Sequence, residues 1–228
     1  MKKLASSLKN MLLVLTGVTA VSVALLAVVN ELTQAPIAEA NARALNEALR
    51  VVLPEYDNTP AAESDTLRTT DAQGKEHAFI VYPAKKGDIQ VGAAVEATTL
   101  GFGGDMKILV GFDAEGNIVD YSLLSHAETP GLGSKAADWF KQGKGNIKGL
   151  NPGKEPLAVS KDGGQIDAIT ASTITSRAFL KAVNEAYATY SGQEVDGVSS
   201  ATQQATTPTD GASGATQQVQ SADSTDVE

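Results

Sequence analysis

The sequence predicts an α+β fold carried on an N-terminal membrane anchor and followed by a polar C-terminal extension. Three observations carry this reading: an uncharged apolar run from Met11 to Val29, a series of short alternating or β-rich runs between turn residues, and a late apolar stripe at helical spacing. The 228 residues leave room for one ordinary domain with appendages.

Residues 1–10 contribute Lys2, Lys3 and Lys9, and the apolar run after them approaches the roughly 20 residues needed to cross about 30 Å of hydrocarbon. The expectation is a transmembrane helix over 11–30, with the N-terminus held in the cytoplasm by its lysines and the rest of the chain across the membrane. A cleaved signal peptide shares this layout. The run is long for one, and the nearest small-x-small site, Ala38-Glu39-Ala40, lies well past its end, which favours an uncleaved anchor.

Over 31–56, Ile37, Asn41, Leu45, Leu49 and Val52 recur at helical spacing up to Pro54, predicting a juxtamembrane helix packed on the domain. The domain itself is expected over 57–190. Strand-like runs fall at 78–82, 90–98, 106–112 and 118–124, broken by Gly87-Asp88, Gly101–Gly104 and Glu115-Gly116-Asn117, which predicts a twisted antiparallel meander. A helix starting near Thr173 should bury Phe179, Val183, Ala186 and Tyr190. From Ser191 to the end the chain is Ser, Thr, Gln, Gly, Ala and Asp with scattered valines, too little apolar surface to offset the entropy of ordering it, so 191–228 is expected to be a disordered acidic tail.

Composition excludes several functions. With no cysteine, thiolate metal sites, cysteine-ligated iron–sulfur clusters and cysteine nucleophiles are absent, and two histidines are too few for a multi-histidine centre. A net charge of −9, from 18 Lys plus Arg against 27 Asp plus Glu, argues against a nucleic-acid partner.

Three stretches can carry chemistry. Gly101-Phe102-Gly103-Gly104 makes a tight hairpin or lets backbone approach a ligand. Ser125 to Gly133 contains Glu128-Thr129-Pro130-Gly131-Leu132-Gly133, in which Thr129 is pushed to extended geometry by Pro130 and the flanking glycines allow a sharp turn that sends Leu132 outward. Such a loop can present backbone amides and one apolar side chain to a flat ligand, or be an ordinary turn with solvated His126 and Glu128. As an acid–base pair, His126 and Glu128 lack a nucleophile. The third stretch, Asp167 to Ser176, is rich in hydroxyls and leads into the last helix. Capping needs one of them; the others, with the amides and the positive end of the helix dipole, suit a phosphate. The residues alone thus describe a membrane-anchored domain for a flat, phosphorylated ligand.

Taken in order, Gly101–Gly104 with Lys107 to Asp113, then His126 to Gly133, then Asp167 to Ser176 resemble the FMN-binding domain of the G-type subunit of the Rnf electron-transport complex, and are similar to the C-type subunit of the sodium-translocating NADH:quinone reductase. The resemblance covers roughly residues 1 to 190. It implies a membrane electron carrier in an ion-translocating ferredoxin:NAD oxidoreductase, with other complex subunits, membrane lipid and a maturing flavin transferase as partners and no turnover of a small substrate by itself. It further implies FMN esterified through its phosphate to Thr173, with Asp167 and Thr170 in the transferase's recognition pattern. In that pattern Ala171 replaces a glycine and Ser172 an alanine. Thr170, Thr175 and Ser176 would bond the phosphate or ribityl chain. Glu128, Thr129, Gly131, Leu132 and Gly133 would form the loop at the ring system, and Trp139 and Phe140 core or cover. The flavin-bearing quinone-reductase component is the neighbouring alternative, and a cofactor-free extracytoplasmic binding or scaffold module the alternative of another class.

The tail repeats this pattern. Asp210 to Thr216 matches in every place, and Asp196 to Thr202 misses only at Ser200. Thr202 and Thr216 are therefore additional acceptors, or chance copies in a low-complexity segment without a pocket.

Overall fold

The computed structural model describes residues 8–70 and 76–192. Lys2 and Lys3 and the tail with Thr202 and Thr216 lie outside the described residues, apart from Ser191 and Gly192 at the tail's start. The elements are α1 (Leu8–Val52), β1 (Asp65–Thr70), β2 (Glu76–Lys86), β3 (Ile89–Leu100), β4 (Asp105–Asp113), β5 (Ile118–His126), a short α2 (Ala136–Trp139) and α3 (Thr173–Ser191), with 3-10 turns at 133–135, 143–145 and 160–162. The five strands form one antiparallel sheet in the order β1-β2-β3-β4-β5, the meander that the strand spacing predicts.

Anchor and juxtamembrane helix are one element. α1 runs for 45 residues, about 68 Å at 1.5 Å per residue, and carries Pro36 inside it. Its apolar N-terminal part is wholly exposed and is long enough to cross a membrane. The helix stops at Val52, not at 56, because Pro54 drives the residue before it out of helical geometry. The packed stripe is also shorter than predicted: Ile37 and Asn41 are exposed, and contact with the domain begins at Leu45.

Period-two alternation sorts the strands' side chains onto two faces. On one face Ala48, Leu49 and Val52 of α1 pack with Tyr82, Ala94 and Leu109. Gly111 permits this docking, since a Cβ there would overlap the Val52 carbonyl. On the other face Val95, Ile108, Val110 and Phe112 meet Phe179, Ala182, Val183 and Ala186 of α3. β4 is buried on both faces from Ile108 to Phe112 and reads there as a continuous apolar run, whereas β3 also carries the buried Glu96, which accepts the Tyr82 hydroxyl at 3.1 Å and pairs with Lys107 at 3.0 Å.

The long connection from β5 to α3 is tied into this second core. Phe179 stacks on Phe140 at 4.3 Å between ring centroids and meets Tyr121 edge-on at 4.8 Å. Burial pushes the Tyr121 phenol well above its usual range. It therefore stays a neutral donor to the Ala136 carbonyl (2.6 Å) and accepts the Phe140 N–H (3.2 Å). Phe140 is core, while Trp139 is half-buried and donates its indole N–H to the Asp167 carbonyl at 2.9 Å. That bond joins the start of the connection to the segment that precedes α3.

Candidate functional site

Three segments far apart in sequence converge at one end of the domain. The β3–β4 connection is the tight hairpin its glycines allow, closed by Gly101 N–H donating to the Gly104 carbonyl at 2.9 Å. Beside it lie the loop after β5 and the start of α3. Together they border a cleft of about 320 Å³ lined by Phe102, Glu128, Thr129, Leu132, Gly133 and residues 171–175.

Glu128 holds the three segments together. Only 5% exposed, its carboxylate accepts the Thr175 hydroxyl at 2.7 Å and the Gly103 N–H at 3.1 Å. Gly101 and Gly133 leave the space for it, since a Cβ at either would overlap a Glu128 oxygen. Glu128 is thus a clamp and not half of an acid–base pair; the His126 ring accepts its N–H at 3.2 Å and otherwise stays exposed.

The rim of the cleft is apolar. Gly131 takes a left-handed φ of 76°, and Leu132 projects outward, 41% exposed. Phe102, 69% exposed, and Ile174 add two further apolar side chains to the lining. The helix start is polar. α3 opens at Thr173 with no side-chain cap on its amides, and its first internal bond is Ser176 N–H to the Ser172 carbonyl. The N–H groups of Thr173, Ile174 and Thr175 are therefore the unpaired first-turn amides that bind anions. The Thr173 hydroxyl sits among them, half-buried, and accepts a bond from Lys161 Nζ at 3.3 Å.

The remaining predicted residues are elsewhere. Thr170 is exposed and does not line the cleft. Ser176 lies behind it, fully buried, donating to the Ser172 carbonyl and accepting the Ile169 N–H, both at 2.9 Å, so its hydroxyl braces the helix start and has no reach toward a ligand. Asp167 does not line the cleft and accepts the Ser160 hydroxyl at 3.1 Å. Ala171, where the recognition pattern has glycine, adopts φ 63°, a left-handed conformation that costs a residue with a Cβ about 1–2 kcal/mol.

Phe102, Ile174 and Lys161 are the site residues that sequence reasoning passed over as such. Phe102 stood inside a noted glycine cluster, whereas nothing local links Lys161 to Thr173.

A second groove of about 450 Å³, lined by Arg50, Leu53 to Asp57 and Lys86, lies at the foot of α1. Two of its polar groups are engaged elsewhere: Lys86 pairs with Glu55 at 3.1 Å and Asp57 accepts the Gly87 N–H at 2.9 Å. The cleft at α3 instead combines the apolar side chains of Phe102, Leu132 and Ile174 with the unpaired amides of the helix start, where Lys161 reaches the Thr173 hydroxyl. That donor set fits an amphiphile with a flat apolar ring and a phosphate, as FMN is.

Residues 101–188, which contain the whole cleft, match the family model described as FMN-binding domain. The chain is 36% identical over 170 residues to the G-type subunit of the ion-translocating oxidoreductase complex of Cereibacter sphaeroides, covering 72% of this chain and 75% of that protein. It is 39% identical over 169 residues to the protein of the same name from Yersinia pestis, covering 71% and 80%. With that of Shewanella piezotolerans it shares 36% identity over 191 residues, covering 80% and 88%. On this extent of shared sequence, the chain belongs to the family of G-type subunits of the ion-translocating oxidoreductase complex.

Proposed function

We propose that this chain is the membrane-anchored electron-carrier subunit of an ion-translocating oxidoreductase complex of the Rnf type, and that it carries FMN covalently as a phosphoester of Thr173. The observation that carries this reading is the convergence on one threonine hydroxyl of an apolar rim, three unpaired helix amides and a lysine. In maturation by a flavin transferase, Thr173 Oγ loses its proton and bonds to phosphorus, while the P–O bond of an activated flavin nucleotide to its leaving group breaks.

The bound flavin supplies one- and two-electron redox chemistry. The chain's own residues attach, orient and shield it. Leu132, Phe102 and Ile174 offer apolar surface to the ring system, with the backbone of Thr129, Gly131 and Gly133 beside them. The amides at the start of α3 meet the phosphate, and Glu128, through Thr175 and Gly103, keeps the walls together. Thr170 and Asp167 act at the surface, where the transferase reads the segment before Thr173.

α1 anchors the domain in lipid with the N-terminus cytoplasmic and the domain extracytoplasmic, as Lys9 and the lysines before it favour. A covalent tether suits that side of the membrane, where a dissociated cofactor would be lost. The other subunits of the complex supply and remove the electrons.

The test is production of the full chain together with a flavin transferase, followed by in-gel fluorescence under denaturing conditions. With Thr202→Ala and Thr216→Ala in both chains, so that the tail copies cannot load, the chain with Thr173 should fluoresce and Thr173→Ala should not. Full fluorescence of Thr173→Ala would reject the attachment site.

A further inference from the structure

The turn at 160–162 lies outside the motifs that mark the site, yet it sends a charged side chain to the acceptor threonine. Lys161 Nζ is 3.3 Å from Thr173 Oγ1. An exposed lysine ordinarily samples many rotamers, so what holds its backbone in place matters.

The turn is braced on both flanks. Ser160 donates its hydroxyl to Asp167 at 3.1 Å and its N–H to the Ile166 carbonyl at 2.8 Å. Asp162 receives both arms of the Arg177 guanidinium, Nε at 2.7 Å and Nη2 at 2.6 Å, a bidentate pair that ties the turn to the second turn of α3. Lys161 stands between these two braces. Arg177, in the second turn of α3, is committed to Asp162, while Lys161 faces Thr173.

The charges and donors agree. An ammonium only donates, so Lys161 occupies a lone pair of Thr173 Oγ1 and leaves the hydroxyl proton free to depart. A phosphate esterified on both sides keeps one negative charge, which the half-charge of a helix end matches only partly. One further cation completes the match.

We propose that Lys161 is the cation that pairs with the phosphate esterified at Thr173, and that Asp167, Asp162 and Arg177 are positioning residues that hold its turn there. This rests on the reading of Thr173 as the attachment site. It also gives Asp167 a role within the folded domain, bracing a turn through Ser160, seven residues before it in sequence.

The test uses the full chain in detergent with purified flavin transferase and an activated flavin nucleotide. Intact mass follows the rate of adduct formation, and the ³¹P resonance of the loaded ester reports the phosphate's surroundings. Lys161→Gln should slow loading by about fivefold, the upper range for an exposed ion pair, and displace the ³¹P resonance. Lys161→Arg should stay within about twofold of wild type by the same scale. Asp162→Asn should give a smaller slowing, and Lys161→Gln with Asp162→Asn should load no more slowly than Lys161→Gln alone, because unpinning an absent lysine has no effect.

Lys161→Gln loading at the wild-type rate, or loading slowly with an unmoved ³¹P resonance, would overturn the inference and leave the attachment site standing. A Thr173→Ala control that loads as fully as wild type would instead overturn the attachment reading, and this inference with it.

Discussion

Replacing Glu128 with Ala should open the cleft by releasing all three of its walls at once. The carboxylate is nearly buried and accepts two bonds, from Thr175 at 2.7 Å and Gly103 at 3.1 Å. A bond to a charged acceptor contributes about 1.5–3 kcal/mol. Gly103 is exposed and can turn to water, but Thr175 is 1% exposed and loses its acceptor in a buried place. The expected cost is therefore about 3 kcal/mol for Glu128→Ala, and about 1 kcal/mol for Glu128→Gln, which keeps the volume and one acceptor oxygen. Urea unfolding of the full chain in detergent measures it through the single tryptophan, Trp139, whose indole is bonded to the segment before α3. Thr175→Val in the Glu128→Ala background should add much less than it does alone. A Glu128→Ala protein within about 0.5 kcal/mol of wild type, the scale of an ordinary surface substitution, would refute the clamp.

Ala171→Gly should stabilise the domain by about 1 kcal/mol, because relief of the left-handed strain exceeds the added freedom of the unfolded chain; a less stable variant would contradict it. Gly111→Ala should cost about 2 kcal/mol and increase proteolysis at Arg50, since the Val52 carbonyl must move to admit a methyl group. In acid, the Arg177 bonds hold the Asp162 carboxyl below its ordinary range, so its pairing stabilises the fold above about pH 4 and is lost as pH falls through the depressed value. Asp162→Asn should remove that part of the acid limb in a stability–pH titration, and an unchanged limb would dismiss the pair's contribution.

The elements legible in the sequence are those whose two faces differ in polarity or whose ends carry turn residues. β2 to β5 and α3 meet that condition. β1 does not: its residues Asp-Thr-Leu-Arg-Thr-Thr include one apolar side chain, as befits an edge strand paired on one side only. The union of anchor and juxtamembrane segment into α1 was hidden by a change of environment along the helix, where lipid-facing residues give way to a docking stripe only at Leu45.

At the cleft, the loop from Glu128 to Gly133 and the helix start at Thr173 announced themselves through local chemistry. The division of labour among their hydroxyls did not, since five similar groups stand within seven residues. Helical geometry separates them: Ser176 falls one turn after Ser172 and faces the core, where it bonds the Ser172 carbonyl, while Thr173 faces the cleft. Lys161 and the clamp at Glu128 were illegible for a different reason. Both act through contacts spanning 12 and 47 residues, which exist only once α3 has packed on the sheet.

The most direct measurement is peptide mapping of the full chain from membranes of cells that also make a flavin transferase. Trypsin cuts after Lys161 and Arg177, so Thr173 lies in the peptide 162–177, and Thr202 and Thr216 lie together in the peptide 182–228. One FMN phosphoester is expected in peptide 162–177, localised by fragmentation to Thr173 and not to Thr170 or Thr175. An unmodified 162–177 peptide, whether or not the tail peptide carries flavin, would contradict attachment at Thr173.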